Sequence, residues 1–135
     1  GQNQIDILFK YGIYLGRAFQ IKDDIMGMFD EEKKTGKSNF TDLQEAKKTI
    51  LVYKAYQNEN RKDKSAIKNI LSKRRVGKPD LLKMRKIIIK SKALDYAKKE
   101  IANLIKKAQR LNKCSKMKPQ YKKLLSEYSN IILNL

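Results

Sequence analysis

The chain has 135 residues, 34% of them charged and 41% hydrophobic, which suits one compact core or part of one and is too short for two ordinary domains. Its 32 Lys and Arg against 14 Asp and Glu leave a net charge of +18, pointing to an anionic partner. A single cysteine, Cys114, and no histidine exclude an intramolecular disulfide framework, zinc fingers and ribbons, and histidine-dependent nucleophile triads. The longest uncharged stretches, such as Tyr11 to Gly16, fall far short of the roughly 18 apolar residues that span a bilayer. With no secretory signal in view, the expectation is a soluble, cytoplasmic chain.

The charge is divided unevenly. Residues 1–60 carry 9 basic and 9 acidic side chains, and residues 61–135 carry 23 basic and 5 acidic. The whole excess therefore lies after Asn60, and the chain reads as one half-domain, 1–135, with a charge-neutral part and a Lys-rich part.

Few prolines and glycines, and apolar residues at helical spacing, predict an all-α fold. From Tyr11 to Phe29 the apolar side chains fall on nearly every side, so the first helix is expected to be mostly buried. Its exceptions are Arg17, Gln20, Lys22, Asp23 and Asp24. Gly12, Gly16, Gln20, Asp23 and Gly27 recur every three or four residues and share a face of small or polar residues that something can approach closely. Thr41 and Gln44 have capping-box spacing and place a helix start there, running to about Tyr56. The polar residues 57–65 read as a loop, and Arg74 to Lys78 as a turn before a helix opened by Pro79 and Asp80 that continues to about Ile89. Leu94, Ala97, Ile101, Leu104, Ile105, Ala108 and Leu111 draw an apolar stripe on the next helix. Tyr121, Leu124, Leu125, Tyr128, Ile131, Ile132 and Leu135 draw another after Pro119, expected to be a packing face.

Two adjacent carboxylates in a buried helix need cations or protons. A Mg²⁺ ion shared with phosphate oxygens and water is one answer for Asp23 and Asp24; pairing with surface lysines or arginines is the other, and on spacing alone the two are evenly matched.

The run FQIKDDIMGMFDEEKKTGKSNFTDLQEAKKT, Phe19 to Thr49, resembles the second aspartate-rich region of the trans-type polyprenyl diphosphate synthases, the family of geranylgeranyl and farnesyl diphosphate synthases. Tyr11 to Gly16 resembles the family's YGxxLG approach to that motif, and Lys92 to Gln109 its penultimate helix. The resemblance implies the C-terminal part of an isoprenoid-synthase helical bundle and a prenyltransferase activity. Asp23 and Asp24 match the pair that helps hold Mg²⁺ on the allylic diphosphate, and Asp42 the acid that supports the metal's water shell. Lys37 and Lys47 match lysines that contact the diphosphate, Lys37 being counted with the aspartates as catalytic. Phe19 and Gln20 match residues lining the pocket beside it. Mg²⁺ and lysine neutralise the diphosphate as it leaves, and the allylic cation is then joined to isopentenyl diphosphate. The family's usual third aspartate is Gly27 here, read as variation among short-chain members. Asp30 and Ala46 are further departures that touch no ligand role.

The resemblance begins in the family's last third, without the first aspartate-rich motif or the residues that bind isopentenyl diphosphate. The expectation is therefore a chain inactive alone, joined to an N-terminal half and doubled into a heterotetramer. Gly1 suits either a natural subunit or a cut fragment. A nucleic-acid-binding module, or a non-catalytic regulatory subunit, is the rival reading. It draws on the charge and on Arg74-Arg75, but 26 of the 32 basic residues are Lys and only 6 are Arg, whereas bidentate readers favour Arg. Peripheral contact with anionic lipid is a third reading, opposed by the reading of the stripes as core faces. Cys114, Lys33 and Lys34 read as incidental thiol and solvated charge.

Overall fold

The computed structural model describes residues 2–29 and 49–134. The described residues form six α-helices: α1 (Gln2–Phe29), α2 (Ile50–Asn58), α3 (Arg61–Ser72), α4 (Lys78–Lys90), α5 (Ala93–Cys114) and α6 (Pro119–Asn134). They belong to two compact units, one of residues 1–22 with 98–135 and the other of residues 23–97. The basic excess is shared between them, 13 basic against 3 acidic residues in the first and 19 against 11 in the second, so the charge boundary at Asn60 is not a packing boundary.

In the first unit, α1 and α6 run parallel. The Lys116 amide donates to Gln4 Oε1 at 3.0 Å, the Tyr11 hydroxyl donates to the Leu125 carbonyl, and Lys22 Nζ donates to the Ile132 carbonyl at 3.4 Å. Burial pushes the Tyr11 phenol above its usual pKa. α6 carries no basic residue in its own last turn, and the buried Lys22 places a cation against that end. α5 lies antiparallel to α6, with Asn112 Nδ2 donating to the Lys122 carbonyl at 2.8 Å and Gln109 Nε2 to Asn130 Oδ1 at 3.2 Å. The expected α5 stripe is a core face: Ile101, Leu104, Ile105 and Ala108 are buried.

In the second unit α2, α3 and α4 pack on one another around Leu51, Val52, Ile67, Ile70, Met84 and Ile88. α4 starts where Pro79 and Asp80 indicate. The Asp80 carboxylate accepts from the Gly77 amide at 3.1 Å and from Lys73 Nζ at 2.7 Å, and these two bonds, the lysine first, hold it below the usual carboxylate range. Between α4 and α5, Lys92 takes a left-handed backbone with φ of 67°.

Four expectations are corrected. α2 starts at Ile50, with extended Thr49 as its N-cap and Thr49 Oγ1 accepting from the Val52 amide, so no continuous helix enters it from Thr41. Thr41 and Gln44 themselves lie outside the described residues. The segment 57–65 is not a loop: Glu59 and Asn60 alone separate α2 from α3, and Asn60 Oδ1 caps α3 by accepting from the Asp63 amide at 2.9 Å. α1 is not mostly buried. Between Tyr11 and Phe29, Tyr11, Ala18, Ile21 and Met28 are, but Ile13 and Phe19 are exposed and Tyr14, Leu15, Ile25, Met26 and Phe29 are half-buried. Finally, much of the α6 stripe faces outward: Tyr121, Leu124, Tyr128 and Ile131 are each at least half exposed, while Ser129 is fully buried in their place.

Candidate functional site

The aspartate pair sits near the end of α1. Helical spacing places Asp23 and Asp24 about 100° apart around the axis, and Gly27 one turn on, between them. Asp23 is exposed and Asp24 half-buried. No described cation forms an ion pair with Asp23, which removes the surface-pairing reading for that residue among the described residues. Asp24 does have a partner.

Phe19 and Gln20, one turn earlier on α1, are both exposed. The face that Gly12 and Gly16 continue is open as well: a Cβ added at either glycine would meet no atom within 4 Å. Lys37, Asp42 and Lys47, with Lys33, Lys34, Asp30 and Ala46, lie outside the described residues. Phe19, Gln20, Asp23 and Asp24 are thus all residues of α1.

Carboxylates on neighbouring positions, one exposed and one half-buried, are hard oxygen donors of the kind that hold Mg²⁺ when phosphate and water complete its shell. Among the described residues no third Asp, Glu, His or Cys joins them, so α1 fits a metal whose remaining ligands come from elsewhere.

One residue that sequence reasoning missed is Arg85. α1 has no basic residue in its last turn, and Arg85 Nε on α4 donates to the Met28 carbonyl at 2.6 Å, supplying a cation and a donor to the helix end that follows the aspartates. The only signal for it in the sequence is the uncompensated end itself.

The described residues are all helical, with an aspartate pair near the end of the long helix α1, and comparison with known proteins shows the family. The family model described as Polyprenyl synthetase matches residues 1–88. The geranylgeranyl diphosphate synthase of Sulfolobus acidocaldarius is 39% identical over 95 residues, covering 70% of this chain and 28% of that protein. The geranylgeranyl diphosphate synthase of Saccharolobus solfataricus is 40% identical over 95 residues, 68% of this chain and 29% of that protein. Among solved structures, a geranylgeranyl pyrophosphate synthetase from Pyrococcus horikoshii superposes with a TM-score of 0.86 at 29% identity, covering 100% of this chain and 40% of that one. The chain belongs to the polyprenyl synthetase family. It spans less than a third of the length of these two curated relatives.

Proposed function

We propose that this chain supplies the second aspartate-rich part of a short-chain polyprenyl diphosphate synthase of the geranylgeranyl or farnesyl type. The observation that carries the reading is the adjacent Asp23-Asp24 pair near the end of α1, with Asp23 exposed, within residues that match the family. Identity to geranylgeranyl diphosphate synthases over about 95 residues supports the same substrate class, allylic and isopentenyl diphosphates. None of the relatives above supports the nucleic-acid reading.

In this reading Asp23 and Asp24, supported by Asp42, would hold Mg²⁺, Lys37 and Lys47 would hold the diphosphate, and Phe19 and Gln20 would wall the pocket beside it. Mg²⁺, when bound, neutralises charge on the leaving diphosphate. The allylic C–O bond breaks with its electron pair going to the diphosphate, the isopentenyl double bond attacks the resulting cation, and a proton is lost to restore a double bond. Holding the diphosphate from one side supplies only part of that arrangement. Turnover therefore requires the N-terminal half of the family's bundle, whichever chain carries it.

The test combines the chain with an N-terminal half and follows incorporation of labelled isopentenyl diphosphate in the presence of Mg²⁺. Condensation is expected only from the assembled protein, and Asp23→Ala should lower it by about 100-fold or more, the scale of losing a group that stabilises charge in the transition state. Full activity in that variant, or turnover by residues 1–135 alone, would sink the assignment.

A further inference from the structure

One end of the first unit joins exposed apolar side chains to a cluster of lysines. The connection between α5 and α6 brings Lys113, Lys116, Lys118, Lys122 and Lys123 into that end: Lys122 Nζ donates to the Lys113 carbonyl at 3.1 Å, and the Lys116 amide donates to Gln4 Oε1 at 3.0 Å. The second bond sets the start of α1 against the same end. Among these lysines on α6, Leu124 is 51% exposed and Tyr121 50%, and on the first turns of α1 Phe9 is 69% exposed and Ile5 60%. Lys118 and Lys123 are exposed and form no ion pair among the described residues. The carboxylates nearest these lysines in sequence are Glu127 and Glu100, and Asp6 at the start of α1 accepts from Gln2 Nε2.

Gathering like charges at one end of a bundle costs stability unless something negative meets them. The apolar side chains narrow the choice. Lysine is depleted from the cores of protein–protein interfaces, so a purely protein cover suits the apolar residues and not the cations among them. Nucleic-acid readers favour planar arginine forks, and none of these five residues is arginine. Lysine beside tyrosine and aliphatic side chains is the composition that sits at the boundary of headgroups and acyl chains, with ammonium groups at the phosphates and the apolar groups just below.

We infer that this end of the first unit, centred on Lys118, Tyr121, Lys123 and Leu124, docks on an anionic lipid surface as a peripheral contact. No described helix is long and apolar enough to cross a membrane, so the contact is interfacial.

Co-sedimentation of the full chain with vesicles tests the inference, comparing phosphatidylcholine alone with equal parts phosphatidylcholine and phosphatidylserine. Binding is expected to the anionic vesicles only, and to weaken on adding salt. Lys118→Ala with Lys123→Ala should lower the affinity by about fivefold per lysine removed. Tyr121→Ser with Leu124→Ser should also lower it, with helical circular dichroism unchanged in both double variants because all four side chains are exposed. Equal binding to both vesicle types, no binding, or indifference to either double variant would overturn it. So would duplex RNA that strips the chain from anionic vesicles, which would assign the surface to nucleic acid.

Discussion

Arg85 Nε lies 2.6 Å from the Met28 carbonyl, and this bond ties α4 to the last turn of the helix that carries the aspartate pair. The carbonyls ending α1 have no intrahelical donors, and a guanidinium there meets both the hydrogen-bonding need and the negative end of the helix dipole. Arg85→Met keeps much of the aliphatic stem and removes the donor, so it should destabilise the fold by about 1–2 kcal/mol. Arg85→Lys, which keeps the charge but not the fork, should cost less. Urea midpoints of the two variants check the order, and an Arg85→Met midpoint equal to wild type would show the bond to be dispensable.

Asp23 separates function from stability. It is exposed and makes no ion pair among the described residues, so Asp23→Asn should leave the unfolding free energy within about 0.5 kcal/mol of wild type. On the proposed function the same change removes a charged metal ligand and should abolish most condensation in the assembled enzyme. Denaturant titration alongside the isopentenyl diphosphate assay reads both, and a large stability loss would mean that Asp23 serves the fold.

Glu59, Asp63 and Lys90 form a group whose two carboxylates respond oppositely to pH. Lys90 Nζ is 2.8 Å from Asp63 Oδ2 and 3.9 Å from Glu59 Oε2. Burial, followed by its hydrogen bond with Asp63, pushes the Glu59 carboxyl above the ordinary 4.5, while the hydrogen bond from Lys90 leads in holding Asp63 below 3.8. Folded Glu59 keeps its proton more tightly than the unfolded residue, so the stability it contributes is complete below pH 4.5 and is lost as pH rises through its raised value. Asp63 contributes stability above pH 3.8 that is lost as pH falls through its lowered value. Glu59→Gln should therefore gain on wild type as pH rises through the raised Glu59 value. Urea midpoints of both proteins across that window give the difference, and parallel curves would refute the assignment.

What the sequence made legible follows from where the determining information lies. α4 and α6 were readable because Pro79 and Pro119 mark helix starts locally, and α5 because its stripe packs within the chain's own residues. The placement of Asp23 and Asp24 on one helix was readable because the two are adjacent in sequence, while their role belongs to the proposed function. Arg85 was not, since its partner Met28 lies 57 positions away. The exposed faces of α1 and α6 were misread for a related reason: apolar periodicity shows that a face is suited to burial and not which residues cover it. The break at Thr49 was not read because a second threonine cap inside an otherwise helical pattern carries little local signal.

The α2–α3 junction combines a misread segment with a local test. Residues 57–65 are polar throughout, which reads as loop, yet only Glu59 and Asn60 lie outside helices. α3 buries two of its side chains, Ile67 and Ile70, so little packing energy marks it in the sequence and its N-terminal cap matters in proportion. Asn60 Oδ1 takes the Asp63 amide at 2.9 Å, whereas Thr49 Oγ1 takes the Val52 amide at 3.3 Å at the start of α2, which buries Leu51, Val52 and Ala55. Both caps should cost about 0.5–2 kcal/mol on replacement by alanine. Asn60→Ala should lie at the upper end because its bond is shorter and its helix has less packing to fall back on. Hydrogen exchange should then show faster opening confined to α3 in Asn60→Ala, and Thr49→Ala should leave α3 protection unchanged. Equal protection of α3 in wild type and Asn60→Ala would show that Ile67 and Ile70 hold the helix without its cap.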